Sequence, residues 1–572
     1  MNTINSSANK ASVQKPWLQF YPEPLRNFVP SEDSLIEFIL KNNTDHDQEI
    51  IEYYGRKLTL NQIMAETEKV AKAMSLLNVK ENDSIIVFLR AVPEFLFIFL
   101  AAEKLGLSVV CNDGLPEERS SAIRQGDIKI AFAHDHLPAE EEKVFYDAGL
   151  EHIVLVSPYT FAEKSEIPDY VENSINALYT GELACDSRNI SWADFIASAE
   201  TVKYDVSVTK NIDRSLYCAY TSGSTGPSKQ VIHSSRTIVG LLNQLVIPGG
   251  LGFRLRVLLT MFPPALVAVV NSIMLFNIIS SNYLILDPFC DIDDIDIEFM
   301  RYRPNQMIAV PMMASILMDS KRIPEDYPMN DLYVLGGGAD PVHNKWLDKI
   351  QAYLAQHGSP AIYSMCYGLS EVGSTATNPR PGAGFKYCGG GIPMRGTTIG
   401  IFEPETFNEL DYDQIGEVCV SGPANMVGYS SEEDTAKTMK VHPDGKVWIH
   451  TGDFGRMNPE GELFVYSRGL NKRFGGGYLY TTIMENKVIE VPGLADCFYV
   501  IVPDKDHEGY FLPYLYIVPE NGVELADVED KIRARVLEHE QPVEIFVVEK
   551  REYFHFKTNR RILAGKILAG EH

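Results

Sequence analysis

Residues 220–229 carry the strongest chemical signal in the sequence. They read Tyr-Thr-Ser-Gly-Ser-Thr-Gly-Pro-Ser-Lys and follow an apolar strand predicted at Ser215–Tyr220, with a helix predicted after them. Small hydroxyl residues and glycines let a loop approach a phosphate group closely, and Lys229 adds a positive charge. The spacing of a Walker A motif is not met. The pattern predicts a phosphate-binding loop, and the alternative is a flexible loop without a ligand.

Further short motifs follow this loop along the chain. They are Gly-Gly-Gly-Ala at 336–339, Tyr-Gly-Leu-Ser-Glu at 367–371, a block from Gly416 to Tyr429, Thr-Gly-Asp at 451–453, and Arg468. Each is weak evidence alone. In this order and spacing they resemble the motifs of the adenylate-forming superfamily, which includes acyl-CoA synthetases, adenylation domains of nonribosomal peptide synthesis and luciferases. The resemblance is closest to the fatty-acid and acyl-CoA synthetases.

The resemblance implies a role for each motif. Tyr367 would stack on adenine, Ser370 would contact phosphate, and Asp453 would accept hydrogen bonds from both ribose hydroxyls beside Arg468. Glu371, with Thr225, would hold Mg²⁺, a hard cation that prefers oxygen ligands. The residues implied to bind the nucleotide are Thr221, Ser222, Gly223, Ser224, Thr225, Gly226, Lys229, Gly337, Gly338, Ala339, Tyr367, Gly368, Ser370, Asp453, Arg468 and Lys557. Those implied to be catalytic are Thr221, Lys229, Glu371 and Lys557.

The C-terminal tail resembles the family pattern G-K-[IV]-x-R-[RK]-x-L, in which the lysine is catalytic. The match is Phe-Lys-Thr-Asn-Arg-Arg-Ile-Leu at 556–563, so Lys557 takes the place of that lysine and Phe556 replaces the glycine. Lys566 also follows a glycine, but it ranks below Lys557. Other departures from the family are Ser228, Gln230, Leu470 at the hinge between domains, and Phe474.

Residues 260–267, which read Thr-Met-Phe-Pro-Pro-Ala-Leu-Val, indicate which class of acid would be activated. Relatives that activate amino acids carry an aspartate here, which pairs with the substrate ammonium. No aspartate is present, and a buried ammonium without a partner is costly. The histidine that many acyl-CoA synthetases place near this point is also missing. The segment is apolar throughout, which favours a fatty or aromatic acid, and the alternative is that these residues only belong to the core.

The implied function is ATP-dependent activation of a carboxylic acid as an acyl-adenylate, followed by transfer of the acyl group to coenzyme A. Two alternatives remain open. The acyl group could pass to the phosphopantetheine thiol of a carrier protein. The departures in the loop, hinge and tail could instead mark a catalytically impaired homologue that binds nucleotide or acyl groups.

Alternating apolar strands and helices from residue 50 to 113, among them a helix at Pro93–Leu105, predict a parallel sheet covered by helices, and hence an α/β fold. A further strand is predicted at His152–Val156, and the polar stretch 157–213 after it is predicted as an irregular surface excursion. After residue 400 the strands become short and glycine-rich, which favours antiparallel structure. The predicted organisation is a disordered tail at 1–15, a large adenylation domain with several subdomains at 16–470, and a small mobile α+β lid domain at 471–572.

The charge and composition of the chain disfavour several classes of protein. The chain has 572 residues and a net charge of −26, which disfavours binding to nucleic acid. Its eight cysteines show no metal-binding spacing. Val257–Asp287 has the length of a membrane span, but Pro263-Pro264 and several asparagines interrupt it, so a buried helix followed by a strand at Tyr283–Leu286 is predicted instead. We expect a cytoplasmic enzyme, and a homodimer is possible.

Overall fold

The structure is a computed structural model that describes residues 10–204, 206, 209–221, 228–246, 253–381, 389–554 and 556–571. Of the predicted N-terminal tail, it therefore describes residues 10–15 alone. These include the short helix α1 (Ala11–Gln14), and the Lys10 ammonium lies 2.7 Å from the Asp411 carboxylate. Residues 10–15 are thus in contact with the rest of the protein.

The first part of the chain alternates helices and strands. Its further helices are α2 (Glu23–Arg26), α3 (Leu35–Asn42), α4 (Leu60–Ser75), α5 (Pro93–Leu105), α6 (Pro116–Gln125), α7 (Ala139–Ala148), α8 (Asp169–Asn176), α9 (Trp192–Ser198) and α10 (Ser235–Leu245). Its strands are β1 (Glu49–Tyr53), β2 (Arg56–Thr59), β3 (Ser84–Phe88), β4 (Ser108–Cys111), β5 (Ile130–His134), β6 (His152–Val156), β7 (Asn189–Ser191), β8 (Ser215–Tyr220) and β9 (Gln230–Ser234).

The middle of the chain continues this alternation. Its strands are β10 (Arg256–Leu259), β11 (Tyr283–Leu286), β12 (Gln306–Ile308), β13 (Val334–Gly337), β14 (Ile362–Met365) and β15 (Thr377–Asn378). Its helices are α11 (Phe276–Ile279), which continues a π-helical segment at Val269–Leu275, α12 (Ile295–Tyr302), α13 (Pro311–Asp319) and α14 (Asn344–Gln356).

Strands dominate the third part, and the last part mixes both types. The third part contains β16 (Gly389–Pro393), β17 (Thr398–Phe402), β18 (Gly416–Ser421), β19 (Gly428–Tyr429), α15 (Glu432–Thr438), β20 (Met439–Val441), β21 (Val447–Met457) and β22 (Leu463–Arg468). The last part contains α16 (Thr481–Ile489), β23 (Leu494–Pro503), β24 (Phe511–Pro519), α17 (Leu525–Arg535), β25 (Ile545–Val547), β26 (Tyr553–Phe554), β27 (Lys557–Thr558) and α18 (Arg560–Ala569).

Two large sheets carry the N-terminal architecture. One has the order β19-β9-β8-β4-β3-β5-β6-β7, and the other has the order β14-β13-β12-β10-β11-β1-β2. Both are parallel except at the β8–β9–β19 and β1–β2 edges. Helices join consecutive parallel strands and cover the sheets, as this topology requires. The predicted α/β class is confirmed.

Helix α5 shows how the sequence sets such an element. Pro93 occupies its first turn, where the missing N–H costs nothing. Gly106 ends it in the left-handed region (φ +79°), which suits glycine. Nearly all of its side chains are buried, because it packs between other elements of the large apolar core.

A third sheet follows residue 376 and is antiparallel, in the order β15-β16-β22-β21-β18-β17, with β20 paired to β21. The change to antiparallel structure after residue 400 is therefore confirmed. The C-terminal part forms its own three-stranded sheet, β23-β24-β25, with its own apolar core. The hairpin β26–β27 then leads into α18.

Two local predictions need correction. The stretch 157–213, predicted as an irregular surface excursion, contains α8, β7 and α9, because buried Val171, Ile175 and Phe195 anchor them. In the stretch 257–287, the strand Tyr283–Leu286 is confirmed, but β10 was missed. No helix among the described residues is long and apolar enough to cross a membrane.

Candidate active site

The ends of the predicted phosphate loop are joined by backbone contacts. The Thr221 N–H donates to the Lys229 carbonyl (2.9 Å), and the Lys229 N–H donates to Thr221 Oγ1 (2.9 Å). The loop thus connects the antiparallel strands β8 and β9, and the predicted helix begins only at Ser235. The residues between the two ends, Ser222, Gly223, Ser224, Thr225, Gly226 and Pro227, lie outside the described residues.

Lys229 faces a cavity of about 380 Å³. Its ammonium lies 3.0 Å from the Asp434 carboxylate and 5.0 Å from the centre of the Tyr429 ring. The cavity is also lined by Glu371, Thr451, Gly452 and Arg468, among others. Residues from five of the sequence motifs therefore meet at one place.

Glu371 lies in a short 3₁₀ turn, Ser370–Val372, and is buried. The Tyr429 hydroxyl donates to Glu371 Oε1 at 2.6 Å. Burial and the Glu371 charge raise the pKa of Tyr429, so this hydroxyl keeps its proton and remains a donor. The carbonyl of Ser370 accepts from His233 Nε2 (2.8 Å). Burial lowers the pKa of His233 to about 4, so that ring is neutral and fixes the turn without adding charge.

Asp453 and Arg468 are paired residues on the neighbouring strands β21 and β22. Arg468 Nη1 lies 3.3 Å from the Asp453 carboxylate, and the Tyr367 hydroxyl donates to the same carboxylate at 2.7 Å. Burial raises the pKa of Asp453, while the charge of Arg468 opposes this shift. The three residues implied to hold adenosine are thus in direct contact with one another.

The Thr-Gly-Asp motif at 451–453 lies within strand β21, although such a motif alone is more typical of a loop. Gly452 has a φ of +70°, which suits glycine, and its N–H donates to Glu417 Oε1 (3.2 Å). The other carboxylate oxygen of Glu417 lies 2.8 Å from His450 Nδ1. Glu417 thus links the Gly452 backbone to the His450 ring. The sequence indicated no role for Glu417 or His450 beyond lying in or beside a motif.

Close packing explains two of the predicted glycines. A Cβ at Gly368 would lie 1.9 Å from the Ser374 carbonyl oxygen, and one at Gly337 would lie 2.0 Å from the Tyr363 hydroxyl. Gly338 and Ala339 follow Gly337 directly, and Ala339 adopts a left-handed φ of +69°. The backbone beside Tyr367 therefore follows a path that larger residues would block.

Lys557, in the C-terminal tail, interacts electrostatically with charged residues of the large domain. Burial and the positive charge of Arg468 lower the pKa of Lys557, whereas the carboxylates of Asp340, Asp453 and Glu371 act in the opposite direction. The next residue, Thr558, donates its N–H to Asp340 Oδ2 at 2.9 Å, so the backbone of Lys557 lies against the large domain. Lys566, the alternative lysine, is exposed on α18.

A model of the AMP-binding enzyme family matches residues 40–430, more than half of the chain. The chain belongs to the family of AMP-binding enzymes. This AMP-binding enzyme is 24% identical over 513 residues to 4-coumarate–CoA ligase 1 of Solanum tuberosum, with 86% of each chain covered.

Two solved structures share the fold of this AMP-binding enzyme. ATP-bound MatB from Rhodopseudomonas palustris gives a TM-score of 0.76 at 18% identity, over 94% of this chain and 100% of that one. The anthranilate CoA ligase AuaEII in complex with anthranoyl-AMP gives 0.76 at 17% identity, over 95% and 99%.

Asp434 and Asp340 were missed by the sequence analysis. Asp434 lies in the first turn of α15, where an acidic residue is common for helix stability alone. Asp340 follows the Gly-Gly-Gly-Ala run directly, and that position was the one available signal. Asp434 contacts Lys229, and Asp340 contacts Thr558 of the tail. The two residues of each pair are far apart in the chain, so no local pattern indicated the contact.

Proposed function

We propose that this AMP-binding enzyme joins a carboxylic acid to ATP, forming an acyl-adenylate and pyrophosphate, and then transfers the acyl group to coenzyme A with release of AMP. The observation that carries the proposal is the contact of Tyr367 and Arg468 with the Asp453 carboxylate. Arg468 also lines the cavity that Lys229 faces.

The described residues suit a nucleotide. Asp453 would accept hydrogen bonds from the two ribose hydroxyls; burial raises the pKa of its carboxyl, and the charge of Arg468 favours the ionised form. Tyr367 would lie against the adenine ring, fixed by its bond to Asp453. Lys229 would leave Asp434 for the phosphates, since that contact is solvent-exposed and weak.

The donor set also fits Mg²⁺. Glu371 offers a carboxylate oriented by Tyr429, next to the end of the phosphate loop. Glu371 and Thr225 would hold the ion, which supplies charge neutralisation on the phosphate oxygens when bound. A carboxylate fixed by a neighbouring hydroxyl loses little further freedom on binding a metal.

The first step needs no general base, because the acid is already ionised at neutral pH. Its carboxylate oxygen attacks the α-phosphorus, a P–O bond forms, and the bond to pyrophosphate breaks. Lys557 would bind the attacking carboxylate and the α-phosphate, so that two anions can approach each other. In the second step the coenzyme A thiol attacks the acyl carbon, loses its proton, and AMP leaves.

The acid is proposed to be aromatic or fatty. In the segment 260–267, Phe262, Ala265 and Val267 are buried and no carboxylate is present, so the segment suits an apolar group. Two of the similar proteins are named for aryl acids, 4-coumarate and anthranilate. Aryl acids are therefore the first to test.

The deciding experiment measures acid-dependent exchange of pyrophosphate into ATP with aryl, fatty and α-amino acids, and then thioester formation with coenzyme A. We expect exchange with aryl or fatty acids and none with α-amino acids. Exchange without a coenzyme A thioester would favour transfer to a carrier-protein phosphopantetheine. Binding of ATP without exchange for any acid would contradict the proposal and favour the impaired homologue.

A further inference from the structure

Two residues of the tail depart from the family motif, and the structure gives each a partner on the large domain. Phe556 replaces the motif glycine, and Thr558 replaces its isoleucine or valine. Lys557 lies between them on the short strand β27. Both neighbours of the proposed catalytic lysine therefore depart from the motif.

Phe556 adopts a φ of +64°, a conformation that is strained for a bulky residue and natural for the glycine it replaces. Its ring centre lies 4.7 Å from that of Phe262, with an angle of 51° between the planes. Strain of this kind persists only where surrounding contacts determine the conformation. The contact with buried Phe262, in the segment proposed to bind the acid, supplies such a determinant.

Thr558 makes polar contacts with Asp340, which is 5% exposed. Its N–H donates to Asp340 Oδ2 at 2.9 Å, and its hydroxyl donates to the same oxygen. Arg560 Nη1 donates to the other oxygen at 3.1 Å. A buried carboxylate with three donors is well satisfied, and removal of those donors would leave a costly buried charge.

We propose that Asp340 and Phe262 form a seat for residues 556–560, and that Asp340 acts as a positioning residue for Lys557 in the adenylation step. The seat fixes the residues on both sides of Lys557, and so fixes the direction of its side chain. Since the contacts join the lid domain to the large domain, movement of the lid for the thiol step breaks them. This inference rests on the proposed function for its kinetic consequences.

The test separates the two half-reactions in Asp340→Asn, Thr558→Val and Phe556→Gly. We expect Asp340→Asn to lower acid-dependent pyrophosphate exchange by roughly 10–100-fold, because small misplacement of a reacting group has effects of this size. The KM for ATP and the rate of thioester formation from prepared acyl-adenylate should both stay within about threefold.

Thr558→Val should lower exchange less than Asp340→Asn, and Thr558→Ser should restore it. The double variant Asp340→Asn/Thr558→Val should be no worse than Asp340→Asn alone, as expected for two residues that act through one contact. Asp319→Asn, which breaks an exposed ion pair with Lys349, is the matched control and should leave both half-reactions unchanged. Phe556→Gly should lower exchange and leave the thiol step intact.

If Asp340→Asn slowed both half-reactions equally, or slowed neither, the proposed role of the seat in adenylation would be wrong. Hydrogen exchange at the Thr558 amide gives a test that needs no activity. We expect slow exchange in the wild type and at least about tenfold faster exchange in Asp340→Asn, since that amide loses its acceptor. If the wild type shows no pyrophosphate exchange but the amide is protected, the proposed function fails while the seat stands.

Discussion

The nucleotide side of the cavity and the tail side are held in different ways. On the nucleotide side the polar groups pair within the large domain, as in Lys229 with Asp434, Tyr429 with Glu371, and Arg468 with Asp453. On the tail side the contacts cross between domains, from Thr558 and Arg560 to Asp340. The first set lies within one domain, whereas the second depends on how the two domains pack against each other.

This difference predicts separate roles for the nucleotide side and the tail side of the cavity. Asp453 and Arg468 are held opposite each other by strand pairing within the large domain. Lys557, by contrast, is placed by contacts of the neighbouring tail residues with Asp340 and Phe262. Variants of Asp453 or Arg468 should therefore weaken ATP binding, and variants on the tail side should slow adenylation alone.

The largest effect is expected from Lys557→Ala. Loss of one well-placed electrostatic contact to a developing charge lowers rates by about 10²–10³-fold, and we expect that loss in pyrophosphate exchange. Thioester formation from prepared acyl-adenylate should remain near the wild-type rate. Lys566→Ala, on the exposed face of α18, is the matched control. A similar loss in Lys566→Ala would contradict the assignment of Lys557.

The next largest effect is expected from Asp453→Asn. Hydrogen bonds to a charged group contribute about 1.5–3 kcal/mol, so the dissociation constant for ATP should rise by roughly 10–150-fold. Discrimination between ATP and 2′-deoxyATP, measured by calorimetry, should fall in the variant. Asp411→Asn, at an exposed pair with Lys10, serves as the control. Unchanged discrimination would exclude Asp453 from ribose recognition.

The pH dependence of adenylation reports on Lys557. Its pKa is lowered from the ordinary lysine value, so the ammonium is lost at a lower pH than in a free lysine. Above that pKa, kcat/KM for exchange should fall by up to about tenfold per pH unit, because this parameter follows the free enzyme. Lys557→Arg should remove this alkaline limb, since its guanidinium stays charged. A limb that persists in the variant would assign it to another group.

The smallest effect is expected from Asp434→Asn. Lys229 lowers the pKa of Asp434, but this contact is partly exposed, and such pairs contribute about 0–1 kcal/mol. Release of Lys229 should therefore lower the KM for ATP by at most about fivefold, whereas Lys229→Met should raise it. A large rise in Asp434→Asn would show that Asp434 orients Lys229 rather than competing for it.

Local elements were the most predictable part of the fold. The strands at His152–Val156 and Ser215–Tyr220 and the helix at Pro93–Leu105 have the predicted bounds, because apolar runs and a first-turn proline define them locally. Helices α8 and α9 were missed, since their stretch is polar and only a few apolar side chains anchor them. A few apolar side chains stabilise a helix only when they can pack into the core of the folded domain, and the sequence does not show that packing.

The sequence by itself determined which chemical groups the chain carries and the order in which they occur, and that order indicated the family. It also determined the buried strands, because apolar periodicity acts over a few residues. Tertiary structure alone decided which groups meet. Tyr367 and Asp453 are 86 residues apart, and Asp340 and Thr558 are 218 apart. Their contact depends on how sheets and domains pack, and no local pattern encodes that geometry.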